Sequence, residues 1–298
     1  MYRIGVVGTE GGWSSERLAD EVARQTGYRL LVDISRVKLD LQAGKVFLGD
    51  IDLTGLDALM VKKIGARYSP DLLDRLEILR FLSGRGLPIF SPPESIMRVL
   101  DRLSCTVTLR LNNIPMPPTV ITEDEDIAVE AVRGFGQAVF KPLFTSKARG
   151  MSLISDREDV RDKVRRFHSN NPIMYIQQRI ELQGKDLGLA FLGGEYLTTY
   201  ARYNRGVSWN TSTASGGRYE AYTPSKESIE LARRAQALFD LDFTSVDVVE
   251  SRSGSMVFEV SAFGGFRGLL EAQGIDAAKL YTEYVLDKLG RERQRRTA

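Results

Sequence analysis

The stretch 243-FTSVDVVESRSGSMVFEVSA-262 decides how this chain is read. Two apolar runs flank a short Ser/Gly-rich segment, the pattern of a β-hairpin. With residues 251–255 taken as the loop, Glu250 pairs with Met256 and Asp247 lies directly opposite Glu259. Side chains at i and i+2 of a strand share a face. Asp247, Glu259 and Ser261 therefore point one way, and Val246, Val248, Phe258 and Val260 form the apolar back. Facing carboxylates repel unless something positive lies between them. A hard divalent cation would satisfy both, and Mg2+ typically takes only one or two protein carboxylates, leaving its other positions to phosphate and water. Solvated acids on an edge hairpin, or acids paired with Arg267 or Arg252, answer the same pattern equally well.

A second oddity has the opposite sign. In 138-AVFKPL-143, Lys141 ends an apolar strand, and Pro142 stops the ladder. The loop 144-FTSKARGMS-152 adds Lys147 and Arg149. A strand-end lysine followed by a small-residue, basic loop suits phosphate, although a surface lysine is the commoner case. The usual nucleotide motifs are absent. The run 43-AGKVF-47 lacks the rest of a P-loop, and glycines at 5, 8, 11 and 12 do not make G-x-G-x-x-G.

Upstream, strands and helices alternate, which predicts a partly parallel α/β sheet. Strands are expected at 2-YRIGVVG-8, 28-YRLLVDI-34, 56-LDALMVKKIG-65 and 87-LPIFSP-92. Helices are expected at 14-SSERLADEVARQTG-27, capped by Ser14 or Ser15 and stopped by Gly27, and at 69-SPDLLDRLEILRFLSGRG-86, capped by Ser69. Residues 35–53 alternate at period two about Ala43-Gly44 and predict a hairpin insertion. A single helix is expected from about Pro93 to Leu111. Downstream, strands at 138–143 and 174–181 flank a helix at about 156–169, and antiparallel strands turn at Gly193-Gly194. Helices at 225–241 and 275–290 flank the carboxylate hairpin, and 290-GRERQRRTA-298 reads as a solvated, frayed tail.

Composition removes several classes of function. The net charge is +2, which gives no case for nucleic acid or an anionic membrane. The single cysteine, Cys105, allows no internal disulfide and reads as a small packed hydrophobe. No apolar run reaches the ~18 residues of a membrane span, and the N-terminus lacks the apolar region of a signal peptide. A cytoplasmic enzyme or binding protein is the expectation. The one histidine, His168, sits among polar neighbours and is expected at the surface, which disfavours a histidine base or a histidine zinc site.

The order of these parts resembles the ATP-grasp superfamily. A lysine-bearing strand precedes a small-residue loop, then Y-I-Q-Q-R-I, then G-K-D-L-G, and an aspartate-bearing strand hairpins to F-E-V-S-A. The likeness is to the RimK-like branch of ribosomal-protein glutamate ligases, and most of all to the ATP-grasp enzyme of the GAK gene system. It covers about residues 90–289. It implies an ATP-grasp fold behind an N-terminal Rossmann-like pre-ATP-grasp domain. The division it implies is 1–95 and 96–290, with a lid at about 115–180, a C-terminal subdomain at about 181–290, and 291–298 as a basic tail.

The resemblance also implies roles. Lys141 would contact the phosphates of ATP, with Lys147 and Arg102 beside it. Gln177 and Gln178 would flank adenine, with the backbone N–H of Ile180. Asp186 would lie near the ribose, and Asn210, Thr211 and Ser212 near the phosphates. Arg202 would be the catalytic cation of the cleft. Asp247, Glu259 and Ser261 would ligate Mg2+ (or Mn2+). Four features depart from the family pattern. Arg102 stands where a lysine is common, the loop around Lys147 has few glycines, Asn210 replaces an arginine, and Ser261 replaces an asparagine. The implied chemistry is a carboxylate activated as an acyl phosphate and joined to an amine or thiol. An ATP-grasp kinase and a nucleotide-binding regulator stay open as alternatives. The implied partner is a small molecule, peptide or protein terminus, and a homo-oligomer is possible for such a fold. Lys62, Lys63, Arg67 and Arg267 would meet an acidic substrate, or Lys62 and Lys63 are solvated surface residues.

Overall fold

The computed structural model describes residues 1–145, 148–204, 217–251 and 254–297. Strands β1 (Ile4–Val7), β2 (Leu31–Val32), β6 (Ala58–Val61) and β7 (Ile89–Phe90) form a parallel sheet in the order β2-β1-β6-β7. Every residue of β1 and β6 is buried, as a strand covered on both faces requires. Helices α1 (Trp13–Thr26) and α2 (Asp71–Gly84) make the crossovers. The expected insertion is a small antiparallel sheet of β3 (Val37–Asp40), β4 (Lys45–Leu48) and β5 (Ile51–Asp52).

Two helix starts differ from expectation. Gly12 precedes α1 with no side-chain cap. Ser15 is instead turned inward, where its Oγ accepts the N–H of Thr9 at 3.1 Å. Ser69 bonds the Asp71 carboxylate rather than capping α2, whose first residue is Asp71. Gly27 does stop α1, in the left-handed region at φ 75°.

The helix expected over 93–111 is two helices, α3 (Pro93–Leu100) and α4 (Arg102–Leu111). Asp101 between them is extended, and its carboxylate accepts the N–H of Leu103 at 2.9 Å. An aspartate gains more as an N-cap than inside a helix. The break places Arg102 at the first position of α4, facing the cleft.

The next sheet is antiparallel, in the order β10-β9-β11-β8. It contains β8 (Thr119–Thr122), β9 (Gln137–Lys141), β10 (Ser152–Ser155) and β11 (Met174–Gln178). Helices α5 (Glu125–Phe135) and α6 (Val160–His168) bury Val132, Phe140, Val164 and Ile176 against it. β8, β10 and α5 were not expected. His168 is half-buried rather than surface-exposed, because Nδ1 meets Glu125 Oε1 at 3.0 Å and ties α6 to α5.

The largest sheet runs β14-β13-β12-β15-β16. Its strands are β12 (Lys185–Leu192), β13 (Glu195–Tyr203), β14 (Arg218–Ala221), β15 (Phe243–Ser251) and β16 (Gly254–Ser261). β12 and β13 turn at Gly193 and Gly194, both at positive φ (59° and 84°), where glycine carries little penalty. Helix α7 (Lys226–Ala237) packs behind the sheet. Helices α8 (Phe266–Gln273) and α9 (Ala277–Thr297) close the chain. The basic end is not frayed: α9 continues through it to Thr297, with Arg291–Arg295 exposed. One apolar cluster holds Val7 and Leu59 of the first sheet together with Val246 and Val260 of the last, so the two sheets share a core.

Candidate active site

Asp247 does face Glu259, but the hairpin reaches that register by another route. Glu250 pairs with Ser255 and Ser251 with Gly254, one residue tighter than expected. Val248 pairs with Val257, Asp247 with Glu259, and Phe258 is the extra residue of a β-bulge. The short turn and the bulge cancel. The bulge also re-aims side chains: Val257 takes the core position and is fully buried, whereas Phe258 turns to the cleft, under Lys141 Nζ at 5.3 Å. The expectation that Phe258 belongs to the apolar back is corrected by that bulge.

Each carboxylate has its own arginine. Arg202 lies opposite Asp186 on neighbouring strands and pairs with its carboxylate, while its Nη2 also reaches Asp247 Oδ2 at 2.8 Å. Burial opposes the Arg202 charge, yet Asp186 and Asp247 outweigh it and hold the guanidinium well above its ordinary range. Burial, with the charges of Glu259 and Asp186 adding to it, lifts the Asp247 carboxyl above the usual carboxylate range against the pull of Arg202. Arg102, 8 % exposed, places Nη1 3.1 Å from Glu259 Oε2 and donates Nε and Nη2 to the carbonyls of Pro142 (3.2 Å) and Thr145 (3.3 Å). The alternative partner Arg267 stands instead over Trp13 and near Glu271 (3.7 Å), because it opens α8 and turns away from the hairpin. The other alternative, Arg252, lies outside the described residues.

Lys141 is buried at the end of β9, and its Nζ donates to Gln177 Oε1 at 2.6 Å. Burial foremost, then the nearby Arg102 charge, pulls its pKa down to about 7. The Gln177 amide donates to Thr119 Oγ1 (3.1 Å) and the Tyr175 hydroxyl (3.3 Å). Gln177 therefore orients the lysine with its side chain. Gln178, at the end of β11, and Ile180, two residues past it, are half-buried, and the N–H of Gln178 is taken by Pro118 O at 2.8 Å. Ser261 ends β16, two residues past Glu259, and lines the same small cavity as Arg102, Tyr68 and Glu259. Cys105 also lines it. Burial pushes its thiol up to about 12. Lys147, Asn210, Thr211 and Ser212 lie outside the described residues.

The donor set fits magnesium. Among the described residues no group of three or more His, Cys, Asp or Glu is arranged to hold a metal. The two facing carboxylates match an ion that takes few protein ligands and completes its shell with phosphate and water. Arg102 pairs with Glu259, and Lys141 Nζ stands over the Phe258 ring beside it.

Residues 99–285 match the model of the RimK-like ATP-grasp domain. The chain belongs to the RimK-like ATP-grasp family. A tetrahydromethanopterin:α-L-glutamate ligase of Methanosarcina acetivorans is 24 % identical to it, over 96 % of this chain and 99 % of that one. The ATP-grasp ligase PsnB, solved with a phosphomimetic variant of a minimal precursor, Mg and ADP, superposes with a TM-score of 0.75 at 17 % identity. That match covers 96 % of this chain and 98 % of PsnB. A RimK domain ATP-grasp protein of Sphaerobacter thermophilus superposes at 0.73 with 21 % identity, covering 95 % and 98 %. The ATP-grasp fold and the ligase class expected from the resemblance both hold.

In this RimK-like chain two residues of the cleft, Gly188 and Tyr200, escaped the sequence reading. Gly188 sits inside β12 between Tyr200 and Asp247. A Cβ there would collide with the Tyr200 ring, so the glycine lets the phenol cross the strand. A glycine inside an otherwise apolar strand signals such a close approach. Lys62, expected either to meet an acidic substrate or to be a solvated surface residue, is not solvated. It is 2 % exposed and donates to two backbone carbonyls. No helix among the described residues is long and apolar enough to cross a membrane.

Proposed function

We propose that this chain is an ATP- and Mg2+-dependent ligase. It transfers the γ-phosphate of ATP to a substrate carboxylate and joins the resulting acyl phosphate to the amino group of an α-amino acid. The observation that carries this reading is the pair Asp247 and Glu259, facing across β15 and β16 with Arg202, Arg102 and Lys141 around them. Mg2+ held by Asp247, Glu259 and the Ser261 hydroxyl would neutralise phosphate charge.

The chain's own residues do the rest. Lys141, oriented by Gln177, and Arg102, oriented by two lid carbonyls, bind phosphate oxygens. Lys147 and the 210–212 segment join them in this reading. Gln178 and the Ile180 N–H border the adenine, and Asp186 the ribose side. The substrate carboxylate oxygen attacks the γ-phosphorus and ADP leaves. The amine then attacks the acyl carbon and phosphate leaves, while Arg202 stabilises the negative charge in both steps. Both steps depend on alignment and charge neutralisation and require no histidine. The names of the curated relatives support a glutamate-like amine, and those of the structural neighbours support a peptide or small-molecule acceptor. The reading takes residues 1–95 as the N-terminal domain and 96–290 as the ATP-grasp domain, and the cell's cytoplasm as the site of action.

The test is ADP release with panels of carboxylates and amines, run beside the Asp247→Asn, Glu259→Gln double variant. The expected result is release that needs both substrates in the wild type and falls at least a hundredfold in the variant. Unchanged turnover in the variant would overturn the metal assignment. A stable phosphorylated product formed with no amine would make the protein a phosphotransferase instead.

A further inference from the structure

Lys62 stands one residue past the end of β6, and its backbone N–H bonds Val7 O at 2.8 Å. Its side chain leaves the N-terminal sheet, and Nζ donates to Phe263 O and Gly264 O, both at 2.7 Å. The ammonium also lies 3.9 Å from the ring centroid of Phe266 and 5.8 Å from that of Phe243. Lys63 adds a second contact, its Nζ 5.3 Å from the Phe263 ring centroid. A buried ammonium is costly, and an apolar side chain of similar length would fill the same space at lower cost.

What Lys62 holds is the turn leaving β16, two and three residues past Ser261. That turn has no slack. A Cβ on Gly264 would collide with the Phe243 ring. On Gly265 it would lie 2.5 Å from the Tyr200 hydroxyl, and on Gly268 2.9 Å from the Tyr200 ring. The carbonyls of 263 and 264 are thus held by Lys62, and the backbone from 264 to 268 packs against two buried rings, Phe243 and Tyr200.

We propose that Lys62 is a positioning residue for ligation: reaching out of the N-terminal sheet, it fixes the turn that follows the Glu259–Ser261 strand end. This rests on the ligase reading above. The lid, through Lys141 and Gln177, sets the nucleotide, and the N-terminal sheet, through Lys62, sets the far end of the carboxylate-bearing strand. A misplacement of about 1 Å in such an alignment costs on the order of a hundredfold in rate.

The test uses the full chain with Lys62→Met, which keeps the stem and loses the donors, and Phe266→Leu, which removes the ring under the ammonium. The readouts are ADP affinity, kcat and KM for ADP release, and hydrogen–deuterium exchange at 261–268 against 174–178. In Lys62→Met, ADP affinity and the KM for ATP stay within about twofold, exchange rises at 261–268 only, and kcat falls roughly ten- to a hundredfold. Phe266→Leu gives the same pattern more weakly and decides the matter if Lys62→Met does not fold. Unchanged exchange at 261–268, or faster exchange with wild-type kcat, overturns the proposal. Wild-type protein without carboxylate-dependent ADP release overturns the ligase reading instead, and the exchange data still report whether Lys62 sets the turn.

Discussion

At Lys141 the structure converts burial into a proton. The unfolded lysine titrates near 10.5 and the folded one near 7. Between those values the unfolded chain binds more protons, so stability rises with pH across the window, and below about pH 7 the folded state carries the full cost of the buried charge. In the proposed reading, phosphate would supply the missing counter-charge. ADP added without metal at about pH 8 should therefore bind with uptake of up to one proton, seen by calorimetry in two buffers of different ionisation enthalpy. Lys141→Arg should bind without that uptake, and equal uptake in the variant would refute the assignment. A second outcome concerns Ser261. Ser261→Asn should leave ADP affinity intact and tighten metal dependence, measured as the Mg2+ concentration for half-maximal ADP release. A large loss of ADP affinity would give the serine another task. Lys141 and Asp247 were legible in the sequence because each is a charge in an apolar strand. Gln177's grip on Lys141 was not, because β11 must first pair with β9 to bring the two side chains together.

At the scale of elements, two local devices set the cleft. The Asp101 cap splits α3 from α4 and aims Arg102 inward. Asp101→Ala should cost about 1 kcal/mol in denaturant unfolding, the usual value of an N-cap, and weaken ADP binding as well, since Arg102 loses its base. Loss of stability with unchanged ADP affinity would separate the cap from the site. The second device is the bulge at Phe258. The pairing of Asp247 with Glu259 was legible, but only because an overlong loop and a missing bulge offset each other. Alternation alone cannot locate a bulge, as the residues on both sides of it remain apolar. The single helix expected over 93–111 failed for a related reason. Periodicity persists through Asp101, and only the carboxylate's preference for a cap breaks it. β8 and β10 are short, four residues each, and carry little pattern of their own; α5 has an Asp124 cap, a Gly136 stop and buried Ala128, Val129 and Val132, and was overlooked.

Across the whole molecule, the first and last sheets share one apolar core, while the lid sheet has its own. Mg2+ with ADP should stabilise the folded chain by about 2.7 kcal/mol at a hundredfold excess over Kd, read as a rise in unfolding temperature that continues with the logarithm of ligand concentration. The gain from metal should vanish in the Asp247→Asn, Glu259→Gln variant, and its persistence there would relocate the metal. The α/β alternation of the first ninety or so residues was legible because buried parallel strands are continuous apolar runs. The joint between the sheets was not, since Lys62 reaches its partners, Phe263 and Gly264, across some two hundred residues of chain. Cys105, sealed beneath Arg102 with its thiol pushed up to about 12, has a practical bearing. The thiolate is the reactive form, so at neutral pH the native chain is nearly inert to maleimides. Pairs of cysteines placed on the lid and on α9 would carry fluorophores with no native thiol to remove, and opening of the cleft could be followed one molecule at a time.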